Sequence, residues 1–142
     1  MKSYQRFLLL MGIVFILNLI WEFSHSFLYI NLTGISKFPL LLLASFADMI
    51  IISIIFLIVS LKNKNLDWIK KPVKLDYILI IILGLLIAIF IELAALRIGK
   101  WAYTELMPTI FGIGLTPLVQ LFITAIISIF SLSFLKICLH ER

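Results

Sequence analysis

The 142-residue chain predicts an all-α, polytopic membrane protein: a single domain built as a four-transmembrane-helix bundle, with both termini cytoplasmic. Three observations carry that prediction. Apolar residues make up 63% of the chain, well above the roughly 45–50% of soluble domains, and a soluble core of this length could not enclose them. They gather into four runs, at about 7–30, 40–61, 76–97 and 117–138, and roughly 20 apolar residues suffice to cross a hydrocarbon core ~30 Å thick. The basic residues divide unevenly between the two ends of those runs. Lys2, Arg6, Lys62, Lys64, Lys70, Lys71, Lys74, Lys136 and Arg142 fall at one end, against only Lys37, Arg97 and Lys100 at the other. Positive-inside bias puts the larger set in the cytoplasm of a multi-pass cell-membrane protein.

The first run follows Lys2 and Arg6 and continues into Trp21-Glu22 with no small-residue cleavage pattern. It reads as a retained signal anchor. Between the second and third runs, the cytoplasmic loop 62–75 sets Leu66, Trp68 and Ile69 among lysines. That pattern predicts a segment lying on the membrane surface, with Trp68 at headgroup level and Asp76 near the start of the third helix. The outer loop 98–116 begins with Gly99, a helix C-cap candidate, and ends at Thr116-Pro117, which suits a helix start. Pro108, Gly112 and Gly114 predict a tightly turned cap. Its "GIGLTP" is no dinucleotide fingerprint, since the third Gly and a preceding strand are missing.

The net charge of +5 does not predict nucleic-acid binding, because the basic residues sit at span ends. Cys138 is the single cysteine, which excludes an internal disulfide and a CxxC pair. Cys138 and His140 read as peripheral, and "NLT" at 31–33 matches a glycosylation sequon on the outer side.

The polar residues inside the runs are the candidate site. On one helix Asn18, Glu22, His25 and Tyr29 fall within an arc of about 60°, flanked by Trp21. The second run contributes Asp48 with Ala44 and Ser45 on its face. The third contributes Glu92 with Ala88 and Ala95, and the fourth Gln120 and Thr124. Small neighbours predict close helix approach and faces turned into the bundle. The predicted topology brings all of these groups to one level in the outer half of the bilayer.

Intramembrane carboxyls are costly, each roughly 2.5–3.5 kcal/mol at a helix centre. Protonation, water, or pairing with His25 or Arg97 would reduce that cost. Glu22, His25, Asp48 and Glu92 are accordingly the candidate catalytic residues. Asn18, Trp21, Tyr29, Arg97, Trp101, Tyr103, Gln120 and Thr124 are candidate ligand-binding residues. Asn18, Gln120 and Thr124 are equally explained as polar glue between helices, and Arg97, Lys100, Trp101 and Tyr103 as interface residues. No metal site is predicted, for no HxxxH pair is present. The partners implied are the bilayer and a lipid or isoprenoid ligand; no cofactor and no oligomeric state can be read.

Taken whole, the chain resembles small four-span prokaryotic integral membrane proteins that carry WE, H, LY, a lone Asp and then "E…GKWAY…MP…GIGLTPLVQ". That resemblance implies the fold and brings no activity with it. Over residues 92–120 the chain is similar to integral membrane carotenoid cyclase domains, where a Glu, an outer W-x-Y and a Pro-x-Glu pattern serve isoprenoid chemistry. Glu92, Trp101 and Tyr103 match, and Gln120 of "PLVQ" stands where the acid would be.

Three functions follow as expectations. The first is an intramembrane enzyme doing acid–base chemistry on a lipid or isoprenoid, with Glu22 or Glu92 as acid, His25 or Asp48 as base, and Trp21 and Trp101 steadying a cation. The second is a proton- or cation-coupled transporter. The third is a non-catalytic scaffold or accessory subunit.

Overall fold

A computed structural model describes residues 2–30 and 37–140, with side-chain surroundings through residue 134. The sequon at 31–33 and the side chains of Cys138 and His140 lie outside the described residues. Four helices dominate: α1 (Ser3–His25), α2 (Lys37–Asn63), α3 (Lys74–Arg97) and α4 (Leu115–His140). Each is long and apolar enough to cross a membrane. Sequential helices neighbour one another around the bundle, and α4 closes against α1. α2 and α3 pack least closely of these neighbours, which matters below.

Away from a polar level at one end, the core between the helices is mainly apolar. Leu10 and Val14 of α1, Ile52, Ile55, Phe56 and Val59 of α2, Ile80 of α3 and Ala125 of α4 are fully buried. Closest approach occurs where α3 passes α4. A Cβ on Gly84 would lie 3.0 Å from the Phe122 Cβ and 3.1 Å from its backbone nitrogen. Ala44 and Ala88, read from the sequence as points of close helix contact, instead line a cavity.

Two departures from the sequence reading concern element ends. α1 stops at His25 rather than running to residue 30, because side chains take the carbonyls of its last turn. Ser24 Oγ donates to the Trp21 carbonyl at 2.8 Å, His25 Nδ1 donates to the same oxygen at 2.6 Å, and Ser26 Oγ donates to the Phe23 carbonyl at 3.1 Å. Such local bonds compete with helix continuation. After a 3₁₀ turn (Ser26–Leu28) the chain is extended as β1 (Tyr29–Ile30). Tyr29 therefore does not share the helical stripe of Asn18, Glu22 and His25.

The second departure is the loop between α2 and α3. Trp68 and Ile69, expected on a membrane surface, are 5% and 2% exposed. Their 3₁₀ turn (Leu66–Lys70) tucks under α1 and α2. Trp68 Nε1 donates to Ser60 Oγ at 2.8 Å and its ring meets Phe56 edge-on. Burying the indole with its N–H satisfied outweighs interfacial placement. Asp76 caps α3 as expected, accepting the Val73 N–H at 2.9 Å, and it also accepts Lys62 and Asn63, each at 2.8 Å. Arg6 pairs with Asp67, which Lys70 also reaches.

At the opposite end, the loop after α3 forms two small antiparallel pairings. β2 (Ala102–Tyr103) pairs with β1, Tyr29 opposite Tyr103. β3 (Thr109–Ile110) and β4 (Ile113–Gly114) form a hairpin leading into α4. Gly99 takes a φ of +63° at the end of α3, as its C-cap reading requires. α4 starts at Leu115, one residue before the expected Thr116, so Thr116 and Pro117 lie in its first turn.

Candidate functional site

The end of α1, the first half of α2, the end of α3 and the start of α4 deliver their polar residues to one level. There they form two connected groups. In the first, Gln120 Nε2 donates to Glu22 Oε1 and to Asp48 Oδ2, both at 2.7 Å, and lies 3.3 Å from Asn18 Oδ1. One amide nitrogen thus ties α4 to acids on α1 and α2. The Glu22 and Asp48 carboxyls are also within hydrogen-bonding reach of each other. A carboxyl–carboxyl bond needs one proton between the two, since an ionised carboxylate only accepts.

Asn18 and Thr124 form the floor. Asn18 is fully buried and its Nδ2 donates to the Val14 carbonyl at 2.9 Å, which leaves Oδ1 for Gln120 and Thr124. Thr124 Oγ1 has the Gln120 carbonyl at 2.8 Å and Asn18 Oδ1 at 3.3 Å. These two residues hold the rotamers above them and do not line the cavity.

The second group surrounds Glu92, which is 4% exposed. Its Oε2 accepts the Tyr103 hydroxyl in a short hydrogen bond and the Trp101 indole N–H at 3.2 Å. Tyr103 is held from behind. The Gly114 backbone faces its oxygen, and a Cβ on Gly114 would lie 3.1 Å from the Tyr103 ring. Only a glycine there lets the phenol lie flat on the hairpin and still reach Glu92. Burial, with the Glu92 hydrogen bond second, holds the Tyr103 hydroxyl well above its usual range. Burial does the same for Tyr29, helped by the charges of Glu92 and Glu22. Both phenols therefore remain donors. Tyr29 packs among aromatic rings, 5.4 Å from His25, 5.7 Å from Tyr103 and 6.1 Å from Trp101 between centroids.

Between the two groups opens a cavity of about 340 Å³. Glu22, Asp48, Glu92 and Gln120 form its polar end. Leu40, Leu43, Ala47 and Ile91, from the loosely packed α2 and α3, supply apolar walls. Lys100 and Trp101 complete the lining from the loop. The volume falls within the ~300–1,000 Å³ typical of small-molecule sites.

Of the predicted residues, Glu22, Tyr29, Asp48, Glu92, Trp101 and Gln120 line this cavity. Tyr103 reaches it through Glu92. His25 is buried beside it, with Nδ1 donating to the Trp21 carbonyl. Trp21 meets the His25 ring edge-on and is outside the lining. Arg97 is exposed and also outside the lining. The expected pairing of the carboxyls with His25 or Arg97 is thus replaced by neutral donors. No ion pair reaches Glu22, Asp48 or Glu92 among the described residues. The sequence reading took Lys100 only as an interface residue and passed over Ala47 and Ile91. Ala44 and Ala47 three apart beside Asp48 were the available signal for a hollow there.

Among the described residues no three His, Cys, Asp or Glu side chains could together hold a metal ion. No protein-family model, curated protein or solved structure matches the chain.

Proposed function

We propose that the chain is an integral membrane protein with both termini in the cytoplasm, and that its outer cavity binds the polar end of a lipid or isoprenoid and does acid–base chemistry on it. Membrane placement rests on where the large apolar side chains point. Ile16 and Ile20 of α1, Leu43 and Ile54 of α2, Leu86 and Phe90 of α3, and Phe130 of α4 are all 50–74% exposed. Helices apolar on every side suit a hydrocarbon solvent. Orientation rests on the nine-to-three division of Lys and Arg.

The observation that carries the chemistry is the cavity itself: three carboxyls at one end of an apolar slot, held by amide, indole and phenol donors. An apolar slot between α2 and α3 fits a hydrocarbon chain entering sideways from the bilayer. Glu22 and Asp48 together hold a proton to give, and Glu92 is placed to take one. His25, packed on Tyr29 beside the cavity, is a further candidate base. A reaction that adds one proton to an oxygen or double bond and removes another needs no further reactant. The similarity of Glu92, Trp101 and Tyr103 to a carotenoid cyclase pattern agrees with such a substrate. Transport fits less well, since Leu10, Val14, Ile52, Ile55 and Ile80 fill the bundle below the cavity.

Glu22→Gln, Asp48→Asn and Glu92→Gln test the reading. Lipids retained by the purified parent, identified by mass spectrometry, supply the substrate for the assay. The amides should fold as the parent does and lower turnover by roughly 10²-fold or more. Full turnover in all three, or a cavity that retains no amphiphile, would move the protein to the scaffold reading.

A further inference from the structure

The hairpin leading into α4 carries two local penalties on one residue. Its two-residue loop is Phe111-Gly112, joining Ile110 to Ile113. Both loop residues have positive φ, 51° at Phe111 and 80° at Gly112. That is the pattern of a type I′ turn, whose first position favours Asn, Asp or Gly because their side chains tolerate the left-handed region. A bulky aromatic there is an outlier. Phe111 is also 100% exposed, so no contact within the chain compensates the strain.

Its surroundings are one-sided. Met107 and Ile113 turn inward, at 5% and 9% exposed, while Leu106 and Ile110 turn outward with Phe111, at 72% and 49%. The hairpin stands at the end of the bundle where the exposed apolar surfaces of the four helices stop, beside Trp101 and Tyr103. Ile110 and Phe111 form an exposed apolar tip, with Leu106 exposed ahead of it and the exposed Glu105 and Thr109 as its polar neighbours in sequence.

We infer that the hairpin 106–114 is a membrane anchor, which inserts Phe111, Ile110 and Leu106 into the outer leaflet. This rests on the bilayer placement proposed above. Insertion gives Phe111 the apolar contact that the chain does not. The anchor has a second consequence. Gly114 at the foot of the hairpin carries the Tyr103 ring, so seating the hairpin in lipid also seats the phenol on Glu92.

Site-directed spin labelling in phosphatidylcholine vesicles tests the anchor. Phe111→Cys, in a Cys138→Ser background, is labelled alongside Phe90→Cys as a lipid reference and Lys64→Cys as an aqueous one. Collision with oxygen should dominate over collision with a water-soluble nickel chelate at position 111, as it does at 90. A label at 111 that behaves like the one at 64, while 90 stays in lipid, overturns the anchor alone and leaves the hairpin tip to water or a protein partner. Water access at both 90 and 111 overturns the bilayer placement as well. Phe111→Asn supplies the control that needs no label. In detergent it should fold with the parent's far-UV circular dichroism, because Asn suits the turn and Phe111 is fully exposed on the chain; loss of folding would show that Phe111 is part of the core and would overturn the inference.

Discussion

Gln120→Leu removes the donor on which the outer cluster is built. Leu fills nearly the same space, so little cavity term is added, and the loss isolates the two 2.7 Å bonds to Glu22 and Asp48. Hydrogen bonds between membrane helices average about 0.6 kcal/mol and reach about 1.7. Two short ones put the expected destabilisation at about 1–3 kcal/mol, with the upper part reached if an ionised acid is left without its donor. Reversible unfolding in mixed micelles, followed by circular dichroism, gives the number. A double-mutant cycle with Asp48→Leu should show coupling of about 0.5–3 kcal/mol, since the two side chains share one bond. Gln120→Glu is the sharper companion. It keeps the shape but trades the donor for a third carboxyl beside Glu22 and Asp48, so it should destabilise more than Leu does. If Gln120→Leu lies within about 0.5 kcal/mol of the parent, as an unremarkable surface change would, the amide does not hold the cluster together. The reasoning from donors and acceptors then fails.

Three further outcomes follow, two from the packing and one from the loop between α2 and α3. Gly84→Leu should destabilise by about 1–3 kcal/mol or more, because its side chain runs into the Phe122 backbone. Gly12→Ala, where a Cβ meets nothing within 4 Å, should instead stabilise by about 0.5–1 kcal/mol in the same unfolding assay. Asp67 is held below the usual carboxylate range by the Lys70 hydrogen bond first, with Ser3 and Arg6 adding. A depressed folded pKa gives stability that is complete above the ordinary carboxylate range and is lost as pH falls through the lower folded value. Thermal midpoints measured from neutral pH downward should therefore fall less steeply for Asp67→Asn than for the parent; identical acid limbs would remove Asp67 from the account.

Much of this arrangement is legible in the sequence because the constraints that produce it are periodic or global. Run length gives the four helices, and helical phase with alternating direction brings Glu22, Asp48, Glu92 and Gln120 to one end. What escapes is decided by single contacts. Tyr29 fits the α1 stripe by phase, but three polar side chains close the last turn of α1 and send it into a strand. It still arrives at the site, from another element. Arg97 suits a carboxylate partner by type, yet it lies past the last inward turn of α3 and points out. Trp68 has the composition of an interfacial residue, and only the hydroxyl of Ser60, eight residues earlier, makes its burial favourable. Gly84 looks like any helical glycine until Phe122 is placed against it. Gln120 reads as one more polar glue residue, because nothing in a sequence says that two acids from other helices converge on one nitrogen.

The two polar ends of the bundle satisfy their acids in opposite ways, and the contrast bears on where function lies. At the end that carries the loop between α2 and α3, each acid among the described residues has a cation: Asp67 has Arg6 and Lys70, and Asp76 has Lys62 together with the amide of Asn63. A cation beside a carboxylate favours its charged form, so these groups act as fixed clamps between the loop and the helices. At the opposite end the donors are an amide, an indole and a phenol. Such donors orient an acid without placing a formal charge beside it. That end is also where the wall is hollow, between the two helices that pack least closely. A bundle that needed only cohesion could have repeated the ion-pair solution there, with Lys100 or Arg97 turned inward to meet Glu92. Neither cation forms an ion pair with these acids, although Lys100 lines the same cavity, and space is left beside them; that combination supports the proton-handling site proposed above over a structural clamp.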